Sequence, residues 1–139
     1  MKLLNKIYSL IIIVGFFYHY ALAEKLPFSV GERLEYSAKF NFIPAGKAFL
    51  TVISIDTVNS LPAYHVRYEA QTGPIADKIY KIRDNIDSWL DEKEFFTHQQ
   101  IKNIREGKYR FTSRTQIMYD HSIAIVNNDT IPIQSRLYD

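Results

Sequence analysis

From residue 32 to residue 126 the chain repeatedly alternates apolar and polar side chains with a period of two. It nowhere sustains the 3.6-residue period of an amphipathic helix, so its segments can bury one face only as strands. In 32–42, Leu34, Tyr36, Ala38, Phe40 and Phe42 fall on one face and Glu35, Ser37, Lys39 and Asn41 on the other. Pro44-Ala45-Gly46 reads as the break after this strand. A second strand over 48–56 is rich in β-branched residues. Asn59-Ser60-Leu61-Pro62 reads as a turn. In 64–72, Tyr64, Val66, Tyr68 and Ala70 oppose His65, Arg67, Glu69 and Gln71.

Gly73-Pro74 ends the third strand, and 75–81 reads as a short helical turn or the lead into a fourth. Alternation is weaker in 82–90. Residues 91–94 read as a turn and 97–106 as a polar strand. Gly107 sits where a tight hairpin crosses into 108–120, in which Tyr109, Phe111, Ile117 and Tyr119 oppose Arg110, Arg114, Gln116 and Met118. A short strand over 123–126 comes last, because the tail from Ile131 shows no clear alternation. The expected fold is all-β, an antiparallel meander forming a curved sheet or partial barrel.

Residues 1–23 have the layout of a secretory signal peptide: Lys2 and Lys6, an apolar run from Ile7 to Phe17, then Ala21-Leu22-Ala23. The run is too short to span a bilayer as a helix, which takes roughly 20 residues. No cysteine follows it, so a lipidated anchor is excluded. The expected mature protein is one β domain over 24–139, exported to the periplasm. With no cysteine anywhere, disulfides, thiol catalysis and thiolate metal sites drop out together. Cleavage leaves 15 basic against 15 acidic residues, a balance unlike that of a nucleic-acid binder.

Four blocks, PFSVGERLEY at 27–36, IPAGKA at 43–48, YKIRDNIDSWLD at 80–91 and IREGKYR at 104–110, together resemble a bacterial secreted family, the domain of unknown function 3108. The resemblance implies a signal-bearing envelope protein with a mostly antiparallel β fold. It supplies no catalytic residue to carry over. Members of that family usually continue beyond the equivalent of Asp139, so the expected sheet is C-terminally incomplete, with open edges and a partly uncovered apolar face.

Little in the chain points to catalysis or to a cofactor. His65, His98 and His121 lack metal-ligand spacing. Asp84, Asp87 and Asp91 cluster near Trp89, but Asp84 and Asp87 lie an odd distance apart and face opposite sides of a strand. Arg83 next door is the expected ion-pair partner for these acids. No G-x-S-x-G elbow is present. Arg110 and Arg114 share a strand face and suit an anionic headgroup or a solvated, salt-bridged surface.

The strongest functional lead is aromatic: Tyr36, Phe40, Tyr64, Tyr68, Tyr109 and Phe111 all fall on apolar strand faces. Tyrosine needs a partner for its hydroxyl, so such a face suits either a partly wet ligand cavity or a core whose hydroxyls reach the rim. The expected function is therefore non-catalytic binding of a lipid or other amphipathic envelope molecule. The alternative is an assembly factor that meets an envelope protein, or a second copy, through open sheet edges. A transmembrane barrel needs an unbroken apolar face on every strand, which 82–90 and 97–106 do not provide.

Overall fold

The structure is a computed structural model that describes residues 28–138. The signal peptide expected over 1–23 lies outside the described residues. Eight strands follow one another in chain order: β1 Arg33–Phe40, β2 Ile43–Val58, β3 Leu61–Thr72, β4 Arg83–Asp91, β5 Thr97–Glu106, β6 Tyr109–Met118, β7 Ile123–Val126 and β8 Asp129–Pro132. Each pairs antiparallel with its chain neighbour in one sheet, ordered β1 to β8 and not closed into a barrel. The expected all-β meander is what forms.

Tight turns set this topology. Asn59 and Ser60 both take positive φ and join Val58 to Leu61 in a two-residue loop, the twist-matched hairpin geometry. Gly107, at φ 53, does the same service between Glu106 and Tyr109. The first turn lies earlier than expected. Asn41, at φ 53, and Phe42 make it, and β2 runs straight through Pro44-Ala45-Gly46. Pro44 is tolerated because it lies near the start of β2, beside a register shift, where its missing donor is least needed. Gly46 is there for close approach, since a Cβ on it would stand 2.5 Å from the Gln71 carbonyl oxygen. The segment 75–81 contains one 3-10 turn, Ala76–Lys78.

The meander also continues past 123–126. Asn127, at φ 56, turns the chain into β8, which pairs fully with β7. A four-residue edge strand needs no alternation of its own when its neighbour supplies the ladder. The tail then folds back, with the Leu137 carbonyl accepting from Thr97 N–H at 2.7 Å.

Cross-strand register assigns the two faces. One, here the inner face, carries rows such as Leu34–Leu50–Tyr68–Ile86 and Val52–Val66–Ser88. The outer face carries Arg33–Thr51–Arg67–Asp87. In a flat sheet three spacings of about 4.8 Å, roughly 14 Å, would separate β3 from β6. Yet Asn59, in the β2–β3 turn, donates to the Ile117 carbonyl at 3.2 Å and accepts from Gln116 Nε2 at 3.1 Å. The sheet therefore rolls at this end, and it rolls over the inner face, where Val52, Tyr64, Ile117 and Ala124 are buried.

Candidate functional site

The inner face changes character along a single strand. Tyr64 is 0% exposed, whereas Tyr68, four residues along the same face of β3, is 37% exposed. Although its register partner Ile55 stays exposed, the Tyr64 ring itself is sealed. Phe28 meets its ring edge-on at 5.9 Å, Phe95 stacks at 6.3 Å, and the hydroxyl donates to the Phe28 carbonyl at 3.3 Å. Burial pushes that hydroxyl's pKa up. Beside it Phe96, His98 and Tyr119 form a second aromatic group, and the Tyr119 hydroxyl donates to the Thr97 carbonyl at 2.7 Å. Arg136 lies over the Phe96 ring and pairs with Glu94.

Toward the other end nothing among the described residues covers the face. Leu34, Tyr36, Leu50, Tyr68 and Phe111 are all exposed. Tyr36, Ala48, Tyr68, Ala70 and Ile82 line a groove of about 370 Å3 there. Tyr109 and Phe111 stack at 6.3 Å but stay solvent-accessible. Phe42, at the first turn, is 96% exposed. The row Leu34–Leu50–Tyr68–Ile86 continues across β5 and β6 as Lys102–Ser113. One row of this face thus passes from apolar to cationic.

The aromatic residues expected to form one surface are therefore divided. Tyr36, Tyr68 and Phe111 share the open half, with Tyr109 at its margin. Phe40 ends β1 beside the turn and is exposed. Tyr64 belongs to the sealed end, where its hydroxyl has a backbone partner. Arg110 and Arg114 lie on the outer face, as alternation requires, opposite Arg105 and Ile101. Arg110 bends back onto the Gly107 and Tyr109 carbonyls, whereas the Arg114 backbone N–H donates to Asn127 Oδ1.

The outer face holds a polar group that local sequence does not display. His65 Nε2 lies 2.7 Å from Asp87 Oδ1, which also accepts from Arg67 Nε at 2.8 Å. Trp89 stacks on His65 at 4.4 Å and donates from Nε1 to Asp56 Oδ2 at 2.8 Å. Ser54 Oγ donates to Asp56 Oδ1 at 2.7 Å. The Trp89 bond, and next the Ser54 bond, hold the Asp56 carboxyl below the usual range.

A bulge makes this possible. The register slips between Val52 and Ser54, so Ser54 and Asp56 turn to the outer face while Val52 stays on the inner one. The adjacent apolar pair Val52-Ile53 is the sequence signal of that slip. Asp87 thus pairs with β3, not with Arg83. Arg83 instead binds Asp77, Nη2 to Oδ2 at 2.6 Å. The two carboxylates of this group are occupied by donors from β2, β3 and β4, so its chemistry is that of a structural tie.

Fold and face together define an open β-meander whose inner apolar face is left accessible toward one end among the described residues. The chain belongs to the family described as Protein of unknown function (DUF3108), whose model matches residues 35–137, from within β1 to the tail beyond β8. No curated protein and no solved structure matches it.

Proposed function

We propose that this is an exported, non-catalytic protein that holds an apolar or amphipathic molecule of the cell envelope on the open half of its inner face. The observation that carries the reading is the divide along β3, from the sealed Tyr64 to the accessible Tyr68. Contiguous apolar surface left uncovered on a folded protein marks a binding site. The row that runs from Leu34 to Lys102 suits a ligand with an apolar body and an anionic head. Export rests on the three-part layout of residues 1–23, and N-terminal sequencing of periplasmic material should begin at Glu24.

A fluorescent fatty-acid probe tests the binding. It should bind the wild type and lose affinity in Tyr68→Ala and Tyr36→Ala. If no apolar probe binds the wild type above background, the reading fails.

A second reading has its own support. All eight residues of β1 are exposed and, among the described residues, only one side of the strand is paired. A free strand edge of this length is a template for an added strand from a partner. Native mass spectrometry of periplasmic protein separates the two, since retained lipid supports the first and a stoichiometric protein the second.

A further inference from the structure

The open end carries another feature, on the outer face, that an apolar ligand would not use. Alternation places Arg83, Arg105 and Arg110 on the outer face and their chain neighbours Asp84 and Glu106 on the inner one. Arg105 and Arg110 are direct cross-strand partners. At that spacing, with Cβ atoms about 4.5–5.5 Å apart, like charges repel.

Lys81 and Arg83 join them in lining a pocket of about 210 Å3 that also includes Gly107. The Gly107 N–H donates to the Lys81 carbonyl at 2.8 Å, which fastens Lys81 to the hairpin. Asp77 neutralises Arg83. Among the described residues no carboxylate forms an ion pair with the side chains of Lys81, Arg105 or Arg110, although the Asp84 carboxylate accepts from the Arg105 backbone N–H at 2.9 Å and Asp77 feels the charge of Lys81. Arg110 Nη1 is held by the carbonyls of Gly107, at 2.9 Å, and Tyr109, at 2.6 Å. That fixes the guanidinium over the turn and leaves its other donors for a ligand.

We propose that this pocket binds a phosphate-class dianion, as a phosphorylated lipid headgroup or as free phosphate. A tetrahedral oxyanion offers several acceptors to a forked guanidinium and neutralises the repulsion between Arg105 and Arg110. The site lies on the face opposite the apolar groove, so it stands or falls separately from the fatty-acid result.

The test is thermal unfolding of the full chain in sodium phosphate against sodium chloride of equal ionic strength. The expected result is a saturable rise in Tm with phosphate. Arg105→Gln and Arg110→Gln should each weaken the half-saturation concentration at least tenfold. Arg105→Lys, which keeps the charge, should retain part of the rise and so exclude misfolding as the cause. Lys93→Gln, the same charge loss at the far end of the sheet, should leave it unchanged. Sedimentation with phosphatidylcholine vesicles carrying phosphatidic acid separates the sources. Binding that Arg105→Gln abolishes assigns the headgroup, and a phosphate-dependent Tm without vesicle binding assigns the free ion. A rise no larger than in chloride, or equal in Arg105→Gln and wild type, overturns the proposal.

Discussion

The two ends of the sheet are built from the same residue types and treat them in opposite ways. At the end bearing the β2–β3 turn and the β4–β5 loop, Tyr64 is enclosed and Tyr119 half-buried, and each hydroxyl finds a carbonyl, Tyr64 at Phe28 and Tyr119 at Thr97. At the end bearing the turns at Asn41 and Gly107, Tyr36, Tyr109, Phe40 and Phe42 face solvent. The composition of an apolar stripe therefore does not decide whether it is core. What decides it is whether a loop returns to cover it. Phe28, Phe95 and the Asn59 turn return at one end. No described segment does so over Tyr36 and Tyr68 at the other.

The largest effect expected from this contrast is on stability. Tyr64→Ala should cost about 3–5 kcal/mol, the range for a fully buried aromatic, in urea unfolding. Tyr68→Ala should cost less than about 1.5 kcal/mol, because much of that side chain already meets water. Equal losses would mean that the open half is packed as core.

Next comes Gly46→Val. Its Cβ would press on backbone atoms of Gln71 and Thr72, which cannot swing aside, so about 1–3 kcal/mol should be lost. A neutral result would place β2 farther from β3 at the open end. Tyr64→Phe removes only the hydroxyl bonded to Phe28 and should cost about 1 kcal/mol, against almost nothing for Tyr68→Phe.

The smallest effect is a dependence on acid. Asp56 is held below the ordinary carboxylate range by its Trp89 bond, and Asp77 by its Arg83 bond. Both folded values are depressed. Their stabilisation is therefore complete above the unfolded carboxylate value, about 3.9, and drains away as pH falls through the lower folded values. Asp56 and Asp77 lie toward opposite ends of the strands. Asp56→Asn and Asp77→Asn should each flatten the fall of Tm between about pH 4 and pH 2. A slope unchanged in either variant removes that carboxylate from the account.

Much of the sheet was legible in the alternation. The strands expected at 97–106 and 123–126 form over those residues, and the hairpin at Gly107 is where its conformational freedom placed it. β8 was not legible, because an edge strand held by one neighbour needs little pattern of its own. The turn at Asn41 was hidden by the stronger punctuation of Pro44 and Gly46. Alternation put Tyr36, Tyr68 and Phe111 on the inner face correctly. It could not separate them from Tyr64, since enclosure depends on loops distant in sequence. The group at His65, Asp87, Trp89 and Asp56 was invisible for a related reason. Its members meet only across strands, and one arrives through a bulge.

The Asn59 clasp has a consequence for how the chain reaches this shape. Every strand pairs with the one before it, so each hairpin can zip from its own turn without waiting for distant segments. The bond from Asn59 to the Ile117 carbonyl joins positions 58 residues apart and spans four strands. Its loop-closure entropy falls due only after the intervening hairpins have shortened the path. The roll of the sheet is thus expected late in folding, after the hairpins whose pairing shortens its loop.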